Sequence, residues 1–231
     1  MPQPFAAPPP GGLVQAEPYT LHIPDQDIDD FKVLLKASKI GPDTYENHVS
    51  GRGLGISKQW LIDAKDAWLN DYDWRRQEER INSFPNFTIP VHDQQSGDFS
   101  IHFIGLFSTR SDAVPVIFMH GWPGSFMEFL PILGMLSKKY TPETLPYHVV
   151  VPSLPGFAMS SGPPLDKDFT LLDAARVLNQ LMINLGFGSG FIAQGGDIGS
   201  MLSRILSLQH DECKAFHSKR NPLHKCRSRL N

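Results

Sequence analysis

The sequence predicts an α/β fold with a mostly parallel sheet covered by helices on both faces. Three observations indicate it. Short apolar runs alternate with helical patterns after residue 96, two glycine-rich loops each follow a predicted strand, and 41% of the 231 residues are apolar. Parallel strands need long crossovers, which the intervening helices would supply. The apolar content is sufficient for a buried core.

The first 18 residues are rich in proline and glycine, with five prolines among the first ten positions. They carry few apolar side chains whose burial could offset the entropy of ordering them, so we expect a flexible arm. They also lack the cationic start and apolar stretch of a secretion signal.

Two amphipathic helices are predicted after this arm, and both are expected to pack through their apolar faces. The first begins behind Pro24, where Asp25 is the expected N-cap. The second begins at Ser57. Their apolar positions recur at helical spacing: Ile28, Phe31 and Leu35 in the first, and Trp60, Ala64 and Trp68 in the second.

Strand and helix patterns then alternate along the rest of the chain. A proline at position 85 ends the segment before it, because proline cannot continue a helix. The gaps between the strands have helical patterns at residues 126–138 and 172–185, the second closed by Gly186. The predicted strands are residues 100–107, 114–119, 149–151 and 190–193.

Charge and composition exclude several classes of protein. Residues 216–231 hold five Lys/Arg and no acidic residue, which leaves 16 basic against 24 acidic residues in positions 1–215. An acidic body does not indicate a nucleic-acid partner. No apolar run approaches the roughly 20 residues that cross a bilayer. With only Cys213 and Cys226, no structural metal is expected, so we predict a cytoplasmic protein without metal or cofactor.

The loop Gly195-Gly196-Asp197-Ile198-Gly199 follows the last predicted strand. Small residues two positions on either side of a nucleophile let a strand turn sharply into a helix and expose the middle side chain. A carboxylate there can attack an sp³ carbon that carries a leaving group and form an ester. Alternatively, Asp197 merely caps the following helix, and this loop by itself does not decide between the two interpretations.

A second loop, His120-Gly121-Trp122-Pro123-Gly124, follows the strand at residues 114–119. In this architecture, one backbone amide from such a loop and the amide after the nucleophile stabilise a developing oxyanion. The candidates are the N–H groups of Trp122 and Ile198. The alternative, an ordinary Gly/Pro turn, is disfavoured because both loops occur in the expected order.

Together with these loops, several segments resemble the microsomal-type epoxide hydrolases in their soluble fungal form. The similarity extends over residues 19–215. The segments that carry it are Trp74-Arg75, Arg80 to Pro85, Ile101 to Ile104, His120 to Gly124, Pro152 to Phe157 and Gln194 to Gly199. So many ordered matches are not expected by chance.

This resemblance implies an incomplete α/β-hydrolase core at residues 96–215, after an N-terminal meander at 19–95 and before a divergent basic tail at 216–231. It also implies that Asp197 attacks a small-molecule epoxide, with the ester then hydrolysed to a vicinal diol. Trp122 and Ile198 would form the oxyanion hole, and Trp122 would also contact substrate. The family's proline at position 123 is typically cis. No cofactor, metal, nucleic acid or membrane is implied.

In the family, two lid tyrosines and a His with an acidic partner follow the nucleophile. Only 34 residues follow Asp197, and all five tyrosines precede it. His210, His217 and His224 each fit the base poorly, so we expect the general acid and base to be absent and the chain to be truncated and impaired. Two alternatives stay open: an inactive fragment that associates with a hydrolase paralogue as a homo- or hetero-oligomer, and a haloalkane dehalogenase.

Overall fold

The computed structural model describes residues 3–48 and 53–219. These residues form two compact units, one of residues 21–80 and one of the remaining described residues. Each unit has its own set of helices or strands. Helices in the described part of the chain are too short or too polar to span a lipid bilayer.

The smaller unit is helical, and the two predicted helices are present. Their bounds, with those of two further helices, are α1 Asp25–Ala37, α2 Tyr45–His48, α3 Lys58–Asn70 and α4 Trp74–Asn82, whose last two residues belong to the larger unit. Ser57 caps α3, where its hydroxyl accepts from the Trp60 N–H at 3.1 Å. The predicted cap of α1 is wrong: Pro24 holds the N-cap position, and the Asp25 carboxylate bonds Arg75 instead.

The prediction that α1 and α3 pack through their apolar faces is also wrong, because neither helix has a buried residue. Phe31 of α1 is 44% exposed and Trp68 of α3 is 51% exposed. Their rings touch one another, with centroids 5.7 Å apart, and Trp68 also contacts Tyr72. The two helices therefore form an aromatic contact but present much of their apolar surface to solvent.

A polar cluster joins the start of α1 to α4 within the same unit. The Glu78 carboxylate, whose side chain is 5% exposed, accepts from the Ile23 N–H at 2.6 Å and from Trp74 Nε1 at 2.8 Å. Arg75 donates to Glu78 Oε2 at 2.5 Å and to the Ile23 carbonyl at 2.8 Å. Burial by itself would raise the Glu78 pKa, but these hydrogen bonds outweigh it and lower that pKa.

The larger unit contains a seven-stranded mixed sheet among the described residues. Its strands are β1 Glu17–Pro18, β2 Asn86–Asp93, β3 Gly97–Leu106, β4 Val114–Met119, β5 Tyr147–Pro152, β6 Phe191–Gly196 and β7 Cys213–Lys219. Their order across the sheet is β1-β2-β3-β5-β4-β6-β7. The four predicted strands are β3, β4, β5 and β6.

Parallel pairing holds for only one half of this sheet. The ladders of β5, β4, β6 and β7 are parallel, whereas β1, β2, β3 and β5 pair antiparallel. One of these antiparallel pairs, β2 with β3, is joined by a hairpin at which Gly97 has φ +90°. A strand joined by so short a turn must return antiparallel to its neighbour. The sequence pattern did not identify β2.

Helices cover both faces of the sheet. Alternate strand residues such as Phe103 and Val150 share one core cluster with α6 Leu171–Asn184 and α7 Ile198–Gln209. His102, the residue before Phe103 in β3, points to the opposite face, where the centroid of its ring lies 5.1 Å from that of Phe126. Phe126 begins the 3₁₀ turn that precedes α5 Leu130–Lys139. The fold class predicted from the alternation is therefore confirmed.

The N-terminal segment differs from the flexible arm that its composition predicts. Phe5 is 6% exposed, and its carbonyl accepts from the Phe107 N–H at 3.0 Å. The Leu13 N–H donates to the Asn184 carbonyl at 2.8 Å, and Glu17–Pro18 adds β1 to the sheet. Buried apolar side chains and backbone hydrogen bonds offset the entropy of ordering this segment.

The predicted basic tail at 216–231 lies only partly within the described residues. Its first four residues complete β7, where His217 is paired in register with Gln194. His224 and Cys226 lie outside the described residues.

Candidate active site

Asp197 lies in a sharp turn between β6 and α7, with φ +49° and ψ −121°. Residues other than glycine rarely adopt such a backbone conformation, because it costs them about 1–3 kcal/mol. A Cβ on Gly195 would lie 2.2 Å from the Gly199 carbonyl carbon, and a Cβ on Gly199 would lie 2.1 Å from the Met119 oxygen. Both glycines are therefore required by close approaches of backbone.

The alternative that Asp197 merely caps α7 finds no support in its hydrogen bonds. Asp197 occupies the N-cap position, but its side chain makes no capping hydrogen bond to the helix. Its Oδ1 instead accepts from the Trp122 N–H at 2.8 Å, a contact between residues 75 positions apart. The carboxylate therefore faces the other glycine-rich loop.

Neighbouring parallel strands bring these two loops together. β4 and β6 are paired in register, with Met119 beside Gly195, so the loops that follow them leave the sheet at the same edge. This is the carboxyl edge of the parallel strands, where ligand sites in open α/β sheets form. The loop after β4 contains a cis peptide bond between Trp122 and Pro123, as the resemblance implies.

The three residues predicted for one site, Asp197, Trp122 and Ile198, meet in the structure. The Trp122 N–H, which donates to Asp197 Oδ1, and then the neighbouring Ile198 N–H hold the Asp197 pKa below its usual value. The carboxyl is therefore ionised at neutral pH. Since the Trp122 N–H occupies Oδ1, Oδ2 is the oxygen that can attack a bound electrophile. Trp122, whose backbone makes this contact, is 70% exposed.

A buried polar cluster joins β2 and β3 to Ser153, directly after β5, and spacing in the sequence did not indicate it. The Nδ2 of Asn86 donates to the carbonyls of Ile81 and Phe84, so its Oδ1 is left to accept from His102 Nε2 at 3.1 Å. His102 Nδ1 then accepts from the Ser153 hydroxyl at 2.9 Å. Burial lowers the His102 pKa to about 4, so the ring is neutral.

Two residues of this cluster lie in segments that carry the resemblance to epoxide hydrolases, and this could have drawn attention to them. His102 lies in the segment Ile101 to Ile104 and Ser153 lies in the segment Pro152 to Phe157. Polar residues inside otherwise apolar strands are expected to have buried partners. Their partners come from strands far apart in sequence, which one-dimensional spacing does not show.

The two described histidines that follow Asp197, His210 and His217, are not brought to this edge of the sheet. His210 caps the far end of α7, thirteen residues after Asp197, which places it about 20 Å along the axis at 1.5 Å per residue. His217 is paired with Gln194, three residues before Asp197 in β6. The acidic Glu212 accepts from Asn179 Nδ2 at 3.2 Å, on the side of α6.

Within residues 3–48 and 53–219, no cluster of three His, Cys, Asp or Glu side chains is arranged to hold a metal ion. The polar groups described at the Asp197 edge are backbone amides and one carboxylate.

Two family models match the sequence. The one described as epoxide hydrolase N terminus matches residues 16–129, and the one described as alpha/beta hydrolase fold matches residues 114–225. The second range includes both loops that meet at Asp197.

Among known proteins, the chain is similar to one of Dothistroma septosporum named "Putative epoxide hydrolase", with 46% identity over 206 residues that cover 88% of this chain and 49% of that protein. The solved structure of an Aspergillus niger epoxide hydrolase matches with 51% identity and a TM-score of 0.88, covering 96% of this chain and 56% of that one. A juvenile hormone epoxide hydrolase from the silkworm Bombyx mori shares the fold, with 22% identity and a TM-score of 0.74 over 90% of this chain and 53% of that one. The chain spans about half the length of these relatives.

Proposed function

Because the chain belongs to the epoxide hydrolase family within the α/β-hydrolase superfamily, we propose that Asp197 is a nucleophile that opens an epoxide ring. Its free carboxylate oxygen attacks an oxirane carbon and forms an ester C–O bond. The ring C–O bond breaks, and its electron pair stays on the departing oxygen, which takes a proton from water or an acidic group. The product is a hydroxyalkyl ester of Asp197.

The observation that carries this proposal is the hydrogen bond from the Trp122 N–H to Asp197 Oδ1 at 2.8 Å. It lowers the pKa of the carboxyl, which favours the ionised form, and Asp197 is exposed at an elbow that costs strain to maintain. A residue kept in such a conformation, with its carboxylate bonded to an amide of another loop, suits chemistry better than helix capping. An ionised carboxylate needs no base before it attacks.

The same amides suit the second step of the proposed reaction. When water attacks the ester carbonyl, the carbonyl oxygen becomes an oxyanion, which the Trp122 and Ile198 N–H groups would stabilise. That step needs a base to take the proton of the water. The family resemblance implies a His with an acidic partner for this role and two tyrosines for the first step.

These implied groups have no counterpart among the described residues at the Asp197 edge. His210 and His217 lie elsewhere in the sheet unit, and no tyrosine follows Asp197 in the sequence given. We therefore propose that a polypeptide of these 231 residues forms the ester slowly and hydrolyses it more slowly still. The full cycle to a vicinal diol would need residues supplied from outside this set.

The test is to incubate the purified chain with styrene oxide and measure its intact mass over time. We expect a gain equal to the mass of one epoxide, located by peptide mapping at Asp197 and lost in Asp197→Ala. The matched control is Asp211→Ala, which removes an exposed carboxylate outside the elbow. An adduct that survives Asp197→Ala contradicts the proposal, and so does its complete absence from a folded chain.

Two further readouts separate the alternatives in the same experiment. Continuous release of the diol would show that the 231 residues complete the cycle, against the proposed impairment. Halide release from a chloroalkane, with no adduct from the epoxide, would favour a dehalogenase instead, since a carboxylate at the elbow can displace either leaving group.

A further inference from the structure

His120 occupies a buried position directly before the loop that reaches Asp197. The residue is 1% exposed, and the edge of its ring meets the Phe157 ring with centroids 5.2 Å apart. Both ring nitrogens have backbone partners: Nε2 lies 3.1 Å from the Leu154 N, and Nδ1 lies 3.1 Å from the Gly121 carbonyl oxygen. A buried imidazole with both positions engaged has little freedom to rotate.

These partners define the protonation state of the ring. The Leu154 N–H can only donate, so His120 Nε2 must accept and carries no proton. The proton of the neutral ring is then on Nδ1, which donates to the Gly121 carbonyl. Burial lowers the His120 pKa, although the Gly121 carbonyl and the negative charge of Glu128 oppose this effect. The neutral form is therefore the form at pH 7.

The carbonyl that His120 holds belongs to the same peptide group as the Trp122 N–H. Because a peptide group is planar, fixing the direction of the Gly121 C=O also fixes the opposite direction of the Trp122 N–H. That N–H donates to Asp197 Oδ1 at 2.8 Å. A hydrogen bond accepted at the carbonyl also polarises the peptide and strengthens the bond that its N–H donates.

We propose that His120 is a positioning residue, which aims the Trp122 N–H at Asp197 by holding the Gly121 carbonyl through Nδ1–H. This role rests on the proposed function of Asp197 and its two amides. It assigns the two nitrogens different tasks: Nδ1 orients the amide, and Nε2 anchors the ring to the segment after β5. Loss of the Nδ1 contact is thus expected to disturb Asp197, and loss of the Nε2 contact is not.

Two substitutions separate the two nitrogens. Asparagine places its amide NH₂ near the position of Nδ1 and loses the Nε2 contact, whereas glutamine reaches the position of Nε2 and loses the Nδ1 contact. His120→Asn should therefore keep the Trp122 N–H in place, and His120→Gln should not. A merely structural role for His120 predicts similar damage from both variants, or more from asparagine, which leaves the Leu154 N–H unpaired.

The readout is the backbone amide signal of Trp122 at pH 7 in the full chain labelled with [¹⁵N]tryptophan. The chain contains four tryptophans, so the spectrum is simple, and Trp122→Phe assigns the signal. A bond to a carboxylate moves an amide proton downfield, and Asp197→Asn defines its position without the charge. We expect His120→Asn to retain the downfield position and His120→Gln to move to that of Asp197→Asn.

The opposite order of the two variants, or no response in either, would overturn the proposal. The other three tryptophan amides report whether a variant has folded. If His120→Gln does not fold, the test is the protonation state of each His120 ring nitrogen in the unmodified protein. The NMR signals of these nitrogens are identified as the ones that His120→Asn lacks. The proposal requires that Nδ1 is protonated and Nε2 is unprotonated at pH 7, and any other state contradicts it. Because none of these signals depends on an epoxide, failure of the proposed reaction would be recognised separately, by the missing adduct.

Discussion

Gly121 and Asp197 approach so closely that a Cβ built on Gly121 would lie 2.4 Å from the Asp197 Cβ and 2.5 Å from its Oδ1. The loop after β4 thus passes directly against the elbow, and only a residue without a side chain can occupy this position. Neither loop can move without changing the position of the carboxylate.

Gly121→Ala is therefore expected to displace Asp197 from the Trp122 N–H. A displacement of about 1 Å can reduce a rate roughly 100-fold, and we expect a loss of that order in the rate of ester formation with styrene oxide, measured by intact mass. The matched control is Gly162→Ala, where an added Cβ would meet nothing within 4 Å. An unchanged rate in Gly121→Ala would show that the contact is not rigid.

Replacement of Asp197 should reveal the strain of the elbow. Both Asp197→Gly and Asp197→Ala remove the carboxylate, but only alanine keeps a Cβ at φ +49°. Glycine adopts this conformation freely, at some cost in the entropy of the unfolded chain. We expect Asp197→Gly to be more stable than Asp197→Ala by about 1 kcal/mol in urea unfolding. Equal stabilities would mean that the turn relaxes when the carboxylate is removed.

The ion cluster between β2 and α6 predicts acid sensitivity of the larger unit. Arg176 binds both oxygens of Asp93 at 3.0 Å and Asp173 Oδ1 at 2.5 Å. The Asp173 pKa is lowered to about 2, first by the Thr170 hydroxyl and further by Arg176. Burial would raise the Asp93 pKa, but bonds from Arg176 and Ser96 outweigh it and lower that pKa.

Since both carboxyls have lower pKa values in the folded state, they contribute stability above the unfolded value of about 4. That contribution is lost as the pH falls through the folded values toward about 2. We expect the free energy of unfolding to decrease over this range. Arg176→Met should lower it by about 2 kcal/mol at pH 7 and flatten the pH dependence.

The control for Arg176 is Arg110→Met, which breaks an exposed pair with Asp112. Exposed pairs contribute little because water screens them, so no measurable change is expected. If the two variants unfold alike at pH 7, the buried cluster does not stabilise the unit.

The Glu78 cluster should determine the stability of the smaller unit. Glu78→Ala leaves the Ile23 N–H without its acceptor and removes one of the hydrogen bonds of Arg75, and we expect a loss of about 2 kcal/mol. Glu78→Gln keeps one acceptor oxygen and should lose less. Unfolding can be followed by tryptophan fluorescence, since Trp60, Trp68 and Trp74 lie in this unit. Glu79→Ala, at the exposed neighbouring position, should leave the transition unchanged.

Much of the local structure could be predicted from the sequence. The spacing of Trp60 and Trp68 predicted α3, and Ser57 was expected at its start, because helix periodicity and capping depend on neighbouring residues. The glycines around Asp197 predicted the elbow, since only small residues permit such a turn. The resemblance implied the cis bond at Pro123.

Other features depend on contacts between distant parts of the chain. The spacing did not indicate that β3 returns antiparallel to β5, or that Phe5 is buried against the sheet unit. The apolar faces of α1 and α3 looked packed in sequence and are largely exposed. Amphipathic periodicity shows that a face is apolar, but not whether another element covers it.

The sequence by itself determined the turn that exposes Asp197, because the glycines at positions 195 and 199 control the backbone locally. Only the tertiary structure decided what the carboxylate meets there. Pairing of β4 with β6 brings the Trp122 N–H to 2.8 Å from Asp197 Oδ1, and His120 holds the peptide that carries it. The physical reason is that strand order is set by packing over the whole sheet, whereas a turn is set by the residues within it.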